Sequence, residues 1–505
     1  MRFMNLLKIN QPWRIFPWLR ILFVLAFAAG CAPAAPATVY YITPLPQTPA
    51  AEVEEVVLPT PIATRPVYDP GTLVDYTAQT GDTLPALAAR FNTTIDEILA
   101  ANPALPKEIT TLYPGDALKI PIYYEALWGN SFQILPDSLF INGPAQIGFD
   151  TRAFVDEHPG WLKNYSTLAG GKMRRGGEVI DFVALNYSIS PRLLLALAEY
   201  QAGALTSEVL PEEKQLYPLG YQDQFHKGIY LQLIWAANLL NNGYYEWRGG
   251  TFDTITRLDG SIEHPDPWQN AATVALQNYY SGLLSLEDYQ HAIYSEGFYR
   301  TYTELFGEPW QNAPAHLPGN LQQPDLTLPF ELGKTWTYTG GPHAGWGDGA
   351  PLAAIDFAPP ASIGGCAPSV QFVTAVADGQ IVRAGDAQAL LDLDGDADER
   401  TGWVIFYLHL ASNDLIQPGV LVKTGDFIGH PSCEGGSATG THVHIARKYN
   451  GEWVSAGGPL AFSLEGWTAG YGAEAYLGTL KKHGRVVEAC TCSDPASQIT
   501  AGLYD

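Results

Sequence analysis

The sequence predicts a multidomain chain: a small β-α-α-β module, a mostly α-helical middle domain and an all-β C-terminal domain. Three observations predict it. At 505 residues the chain is long enough for several separately packed cores. The apolar pattern changes from helical spacing over 125–315 to short β-type runs over 330–470. Proline-rich stretches at 32–72 and 312–329 separate these regions.

Composition excludes some functions. The 28 Lys+Arg stand against 52 Asp+Glu, for a formal net charge of −24. Nucleic acid is excluded as a partner, because phosphate binding needs a basic stripe. Residues 1–30 carry Arg2, Lys8, Arg14 and Arg20, no acid, and the apolar run Ile21–Ala29. This reads as a secretory signal, and the run is too short to span a bilayer comfortably. Ala28-Ala29-Gly30-Cys31 resembles a bacterial lipobox. The resemblance implies lipidation of Cys31, a mature net charge of −28 and an extracytoplasmic protein anchored to the cell membrane. Residues 31–73, rich in Pro, Ala and Thr, read as an extended tether. Export permits disulfides, and Cys366–Cys433 is the expected pair because both lie in the C-terminal domain. Cys490 and Cys492 sit too close in sequence to pair easily with each other.

The first module spans 74–123. Val74-Asp75-Tyr76-Thr77 is strand-like. Gly81-Asp82-Thr83-Leu84 turns the chain into a helix with Leu84, Leu87, Ala88 and Phe91 on one face. Thr94-Ile95-Asp96-Glu97 is a capping box opening a second helix, and Asn102-Pro103 stops it. Pro114-Gly115-Asp116 is a turn before a strand at Ala117–Ile122. This unit resembles a LysM module throughout. The resemblance implies binding of N-acetylglucosamine-containing glycan between the first strand–helix turn and the second helix–strand loop. Gly81, Asp82, Thr83, Asn102 and Pro103 are the groove candidates it implies; each is also a natural capping or turn residue.

In the helical domain, 125–315, Ser190-Pro191 is an N-cap and first-turn pair before Leu193, Leu194, Leu197 and Ala198. Ile229–Leu240 reads as a second helix closed by Asn242-Gly243. Tyr244, Tyr245, Trp247, Trp268, Tyr279 and Tyr280 are expected in the core. Leu193–Gly203 resembles the catalytic helix of lysozyme-like lytic transglycosylases, with Gln201 where such enzymes place Glu. An amide cannot protonate a glycosidic oxygen, so a lysozyme-like but non-catalytic domain is expected.

After a linker at 316–329, the β domain at 330–470 holds the chemistry. Thr441-His442-Val443-His444 puts two imidazoles on one face of a strand. In order, the chain offers Pro342-His343-Ala344-Gly345, Ala354-Ile355-Asp356-Phe357-Ala358, Ala377-Asp378-Gly379-Gln380, Tyr407-Leu408-His409-Leu410, Val422-Lys423-Thr424-Gly425-Asp426 and Thr439-Gly440-Thr441-His442-Val443-His444. Over about 120 residues this resembles the lysostaphin/LytM-type zinc metallopeptidases. The resemblance implies His343, Asp356 and His444 as Zn2+ ligands. It implies His409 and His442 as catalytic residues that orient the attacking water and stabilise the developing oxyanion. Two neutral imidazoles and a carboxylate leave zinc one open position.

One departure stands out. The family spaces its first His and Asp by three residues, whereas twelve separate His343 from Asp356 here. Asp356, between Ile355 and Phe357, is the favoured ligand, and Asp348 is the alternative. Asp392-Leu393-Asp394-Gly395-Asp396 reads as a solvated turn. The tail at 471–505 carries no recognisable motif. The expected function is a zinc endopeptidase acting on peptidoglycan peptides and held to glycan by LysM. The alternative is a non-catalytic regulator or scaffold of other cell-wall hydrolases.

Overall fold

The computed structural model describes residues 65–492 and 494–502. Residues 1–64, with the expected signal segment, Cys31 and most of the tether, lie outside the described residues.

In the first module β1 (Thr72–Thr77) pairs antiparallel with β2 (Ala117–Ile122), and α1 (Leu84–Arg90) and α2 (Ile95–Ala101) lie between them in sequence. Thr83 caps α1, and Thr94 with Glu97 forms the capping box of α2, filling first-turn N–H groups that lack helical partners. Val74, Tyr76, Leu87, Phe91, Ile98 and Ile120 make the core.

The middle region is built on α3 (Gly176–Tyr187), α4 (Pro191–Ala202), α5 (Ile229–Gly249) and α6 (Ala271–Ser281). Ser190 caps α4 as the sequence predicts. The expected stop at Asn242-Gly243 does not occur; α5 runs on to Gly249 and ends at Gly250 in the left-handed conformation. Gly243 serves helix crossing instead, since a Cβ there would lie 3.0 Å from the Cα of Ala275 on α6. Tyr244, Tyr245, Trp247, Tyr279 and Tyr280 are buried core residues. Trp268 meets the LysM-like module: its ring packs edge-on against Phe91 and its indole N–H donates to the Asp75 carbonyl.

The C-terminal region centres on a nine-stranded antiparallel sheet. Its strands are β3 (Thr335–His343), β4 (Ala354–Ala358), β5 (Gly379–Gly385), β6 (Gln388–Asp392), β7 (Trp403–Leu408), β8 (Leu421–Val422), β9 (Val443–Tyr449) and β10 (Glu452–Trp453), with an edge strand from the tail. Strands β11 (Ser463–Leu464), β12 (Trp467–Tyr471), β13 (Gly478–Lys482) and β14 (Arg485–Glu488) form a second sheet; β15 (Gln498–Thr500) is the edge strand, paired to β3. The main order is β8-β5-β6-β7-β9-β4-β3-β15, with β10 on β9. The tail is thus part of the β structure. Its strands are short and lack a strong alternating pattern, so sequence alone did not mark them.

Period-two alternation gives the main sheet two cores. Val404, Phe406, Leu408 and Ala446 pack with the helical region, while Ile405, Tyr407, Val443 and Ile445 pack with Phe462, Trp467 and Leu480. The helices therefore share one continuous core with a face of the sheet. Cys366 and Cys433 are disulfide-bonded, as expected. Cys490 and Cys492 are also bonded; their Cα atoms lie 5.0 Å apart, within disulfide reach despite the single intervening residue.

One buried ionic cluster joins the parts. On α5, Arg248 pairs with Glu452 of β10 at 3.1 Å and with Asp137 at 3.2 Å. Its guanidinium also donates to the Thr80 carbonyl of the first module. Tyr244 and His316 reach the same Glu452 carboxylate at 2.8 and 2.5 Å. Burial pushes the Glu452 carboxyl up, but Arg248 and His316 outweigh it and hold it at about 2.

Arg248→Met should cost about 3–5 kcal/mol, because Glu452 and Asp137 are left buried without their cation. Glu452 titrates below its ordinary 4.5, so its stabilisation is complete above that pH and is lost as pH falls towards about 2. Denaturant melts of wild type and variant from pH 7 to pH 2 check both; equal stability at pH 7 would contradict the interlock.

Candidate metal centre

The sheet register assembles the centre. On β9, His444 is directly opposite Asp356 on the neighbouring β4. His343 ends β3 on the other side of β4, opposite Ala354. Asp356 and His444 lie on the face that packs with the helices, since Ile355, Phe357, Val443 and Ile445 take the other. Room for the carboxylate comes from Gly340: a Cβ there would sit 2.3 Å from Asp356 Oδ2.

Three ligand atoms converge. His343 Nε2 is 2.9 Å from His444 Nδ1 and 3.3 Å from Asp356 Oδ1, and His444 Nδ1 is 3.5 Å from that same oxygen. The second nitrogen of each ring is engaged: His343 Nδ1 with the Gly341 carbonyl at 2.8 Å, His444 Nε2 with the Gly345 carbonyl at 3.1 Å. Those carbonyls only accept, so each neutral ring carries its proton there and presents a bare nitrogen to the other. Two bare nitrogens cannot hydrogen-bond to each other. Asp356 Oδ1 is buried and has no hydrogen-bond partner. A cation among the three atoms satisfies all of them, so this donor set fits a metal. All three residues are buried.

Electrostatics agree. Burial pushes the Asp356 carboxyl up, but His343 and His444 hold it well below the carboxylate range. Burial pushes His343 down, and Asp356 more than offsets this, leaving it raised. His444 is lowered, mainly by burial. A cation beside Asp356 would offset the burial of its carboxylate.

The other two imidazoles border this centre. His409 follows β7 with φ of +62°, a left-handed conformation unusual for a side-chain-bearing residue. Its Nδ1 donates to the Glu434 carbonyl at 2.7 Å. His442 Nδ1 donates to the Gly440 carbonyl at 2.7 Å, and its Nε2 is 3.8 Å from Asp356 Oδ2. The two rings are 4.5 Å apart between centroids, each with a bare Nε2 when neutral. Burial, then neighbouring His442, lowers His409 to about 4.

Asp348 is exposed and apart from this group. Its loop docks on α5 instead: the Asp348 and Ala350 N–H groups donate to Asn238 Oδ1 and Asn242 Oδ1 at 2.9 and 2.7 Å. Asp392, Asp394 and Asp396 also cluster, and Asp392 accepts from the Asp394 and Ala397 N–H groups of its own turn. Sequence reasoning missed Gly340, signalled only by the Gly340-Gly341 pair before Pro342-His343. It also missed Tyr476, whose ring stacks on His343 at 4.2 Å from a tail without a motif.

The LysM groove candidates lie elsewhere. Gly81 and Asp82 are buried. A Cβ on Gly81 would meet Arg248 at 2.6 Å and Leu317 at 2.8 Å. Asp82 accepts from Tyr76 and Arg90 at 2.6 and 2.9 Å. Thr83 caps α1, Asn102 binds Lys119 and Ile98 backbone, and Pro103 is exposed. Both loops flanking the expected groove face the chain's own linker: Thr80 meets Leu317, and Thr110 and Thr111 meet Leu321 and Pro318. Gln201 accepts from Tyr279 and donates to the Leu219 carbonyl, so its amide is engaged inside the helical region.

Gly340→Ala should lower divalent-metal affinity by about 10–100-fold by displacing Asp356, with the fold retained by circular dichroism. Competition with a chelating dye measures this; unchanged affinity would contradict the role given to Gly340.

Three family models match separate parts of the chain: the LysM domain over residues 76–121, the LasA N-terminal domain over 133–320, and peptidase family M23 over 362–456. The M23 match includes His409, His442 and His444 and begins after the inserted loop. Protease LasA of Pseudomonas aeruginosa is 27% identical over 347 residues, 64% of this chain and 75% of that protein. Among solved structures, the deep-sea M23 metalloprotease pseudoalterin is 26% identical, covering 33% of this chain and 96% of its own, with a TM-score of 0.29. The catalytic domain of the antimicrobial peptidase lysostaphin from Staphylococcus simulans is also 26% identical, covering 24% and 89%, with a TM-score of 0.18. These matches support a LytM-type peptidase domain of family M23 preceded by an N-terminal LysM domain.

Proposed function

We propose that this chain is a zinc endopeptidase that hydrolyses peptide bonds of peptidoglycan outside the cytoplasm. The observation that carries it is the convergence of His343 Nε2, His444 Nδ1 and Asp356 Oδ1, with two further imidazoles alongside. His343, Asp356 and His444 would hold the zinc, whose chemistry is to polarise the scissile carbonyl and acidify the attacking water. His409 keeps its Nδ1 proton on the Glu434 carbonyl, so its bare Nε2 can take the proton of the water. It then passes that proton to the leaving amine. His442, its Nδ1 likewise donating to the Gly440 carbonyl, would donate to the developing oxyanion from Nε2 in its protonated form.

The peptidoglycan assignment is supported by the LysM match beside the M23 match. Glycan held by LysM would raise the local concentration of attached peptides. For that, the linker at 316–321 must part from Thr80 and Thr111. The lysozyme-like reading of the helical domain supplies no second enzyme, because Gln201 stands where an acid is needed. The alternative of a non-catalytic regulator loses support from the complete set of five residues. Anchoring through Cys31 completes the proposal; among the described residues no helix is long and apolar enough to cross a membrane.

The test is release of new amino termini from purified sacculi. Wild type should release them, chelator should stop release, and His409→Ala should slow it by about 10²–10⁴-fold. Gln201→Glu should add no new reducing ends. Cys31→Ala should move the protein from the membrane to the soluble fraction. Release indifferent to both chelator and His409→Ala would sink the proposal.

A further inference from the structure

A cavity of about 360 Å³ lies between the helical region and the peptidase sheet, within the size range of small-ligand sites. Phe182 and Tyr187 of α3, Tyr230 of α5 and Trp346 of the inserted loop line it. It adjoins the metal centre. Glu434, whose carbonyl fixes His409, is in its wall. Trp346 packs edge-on against Phe406, which packs edge-on against His444.

Two buried amides also line the cavity, Asn186 from α3 and Gln388 from β6, exposed by only 5% and 4%. One guanidinium orients both. Arg383 grips Glu399 with two hydrogen bonds at 2.7 and 2.9 Å. Its remaining arm donates to Asn186 Oδ1 at 3.2 Å and Gln388 Oε1 at 3.0 Å. With each oxygen fixed on a donor, each NH2 group is the free end. Neither NH2 group has a hydrogen-bond partner among the described residues. Neither NH2 nitrogen is among the buried polar atoms left without a partner, so both remain accessible to a ligand's acceptor from the cavity their residues line.

From this we propose that the cavity is a subsite for an N-acetylhexosamine unit of the substrate's glycan, built jointly by the helical and peptidase regions. The acetamido carbonyl accepts from the two amides, and the sugar's apolar ring face and methyl group lie on the aromatic rings. The charged lining residues are Asp386, paired with Lys172 at 3.6 Å, and Glu434. Glu434 disfavours the carboxylates of a stem peptide and accepts sugar hydroxyls. The helical region thereby gains a role in substrate selection that its Gln201 helix does not supply. This subsite rests on the peptidoglycan reading given above.

The test compares Asn186→Asp/Gln388→Glu with wild type in the full chain. Each change keeps an oxygen for Arg383 and removes the NH2 donor. Tyr230→Ala is the second variant, should the double variant fail to fold. Two substrates are used: a cross-linked muropeptide bearing its disaccharide, and the same peptide stripped of sugar. The disaccharide-bearing substrate should lose about tenfold in kcat/KM in either variant, while the sugar-free peptide is cleaved as by wild type. Equal losses on both substrates, or no loss on either, overturn the proposal. Calorimetric titration with N,N′-diacetylchitobiose is independent of hydrolysis. A binding event that the variants weaken supports the subsite, and a titration in which no binding event differs between wild type and variants overturns it, since glycan held by the LysM module is the same in all of them. If wild type cleaves neither substrate, the endopeptidase reading fails and this titration alone judges the cavity.

Discussion

The arrangement of the molecule depends on a buried guanidinium. Arg248 stands near the end of α5 and meets Glu452, Asp137 and the Thr80 carbonyl, groups from three parts of the chain. Burying this many charges is costly, and the cost is met only with every partner present. The cluster therefore fixes position more than it adds stability. It sets the helical region against one face of the sheet, the face that carries Asp356 and His444.

That placement explains the widened gap after His343. A short connection between β3 and β4 would suffice for the ligands. The longer loop instead reaches α5, where Asn238 and Asn242 accept from its backbone. Trp346 from the same loop enters the shared core beside Phe406. The insertion thus couples the helices to the candidate metal centre while His343, Asp356 and His444 stay together.

Much of the site was legible because its chemistry sits in short motifs. His442-Val443-His444 declares two imidazoles on one strand face, and the apolar neighbours of Asp356 mark it as inward-pointing. The small module was legible from Thr83, Thr94 and Glu97, whose capping acts within a few residues. What stayed hidden depends on partners far apart in sequence. Asn242-Gly243 carries a local stop signal, yet Asn242 serves the loop at Ala350 and Gly243 serves the crossing with Ala275. Gly81 and Asp82 look like groove residues until Arg248 and Leu317 pack on Gly81 and Tyr76 and Arg90 take the Asp82 carboxylate. Tyr476 reaches His343 from a tail whose strands are too short to announce themselves.

The central claim is that two imidazoles and one carboxylate of this sheet hold a catalytic metal. X-ray diffraction with anomalous data collected on both sides of the zinc absorption edge tests it most directly. The account predicts one zinc peak per chain, among His343 Nε2, His444 Nδ1 and Asp356 Oδ1, lost in Asp356→Ala. A zinc-saturated crystal with no peak there, or a peak held by Asp348 instead, would contradict it.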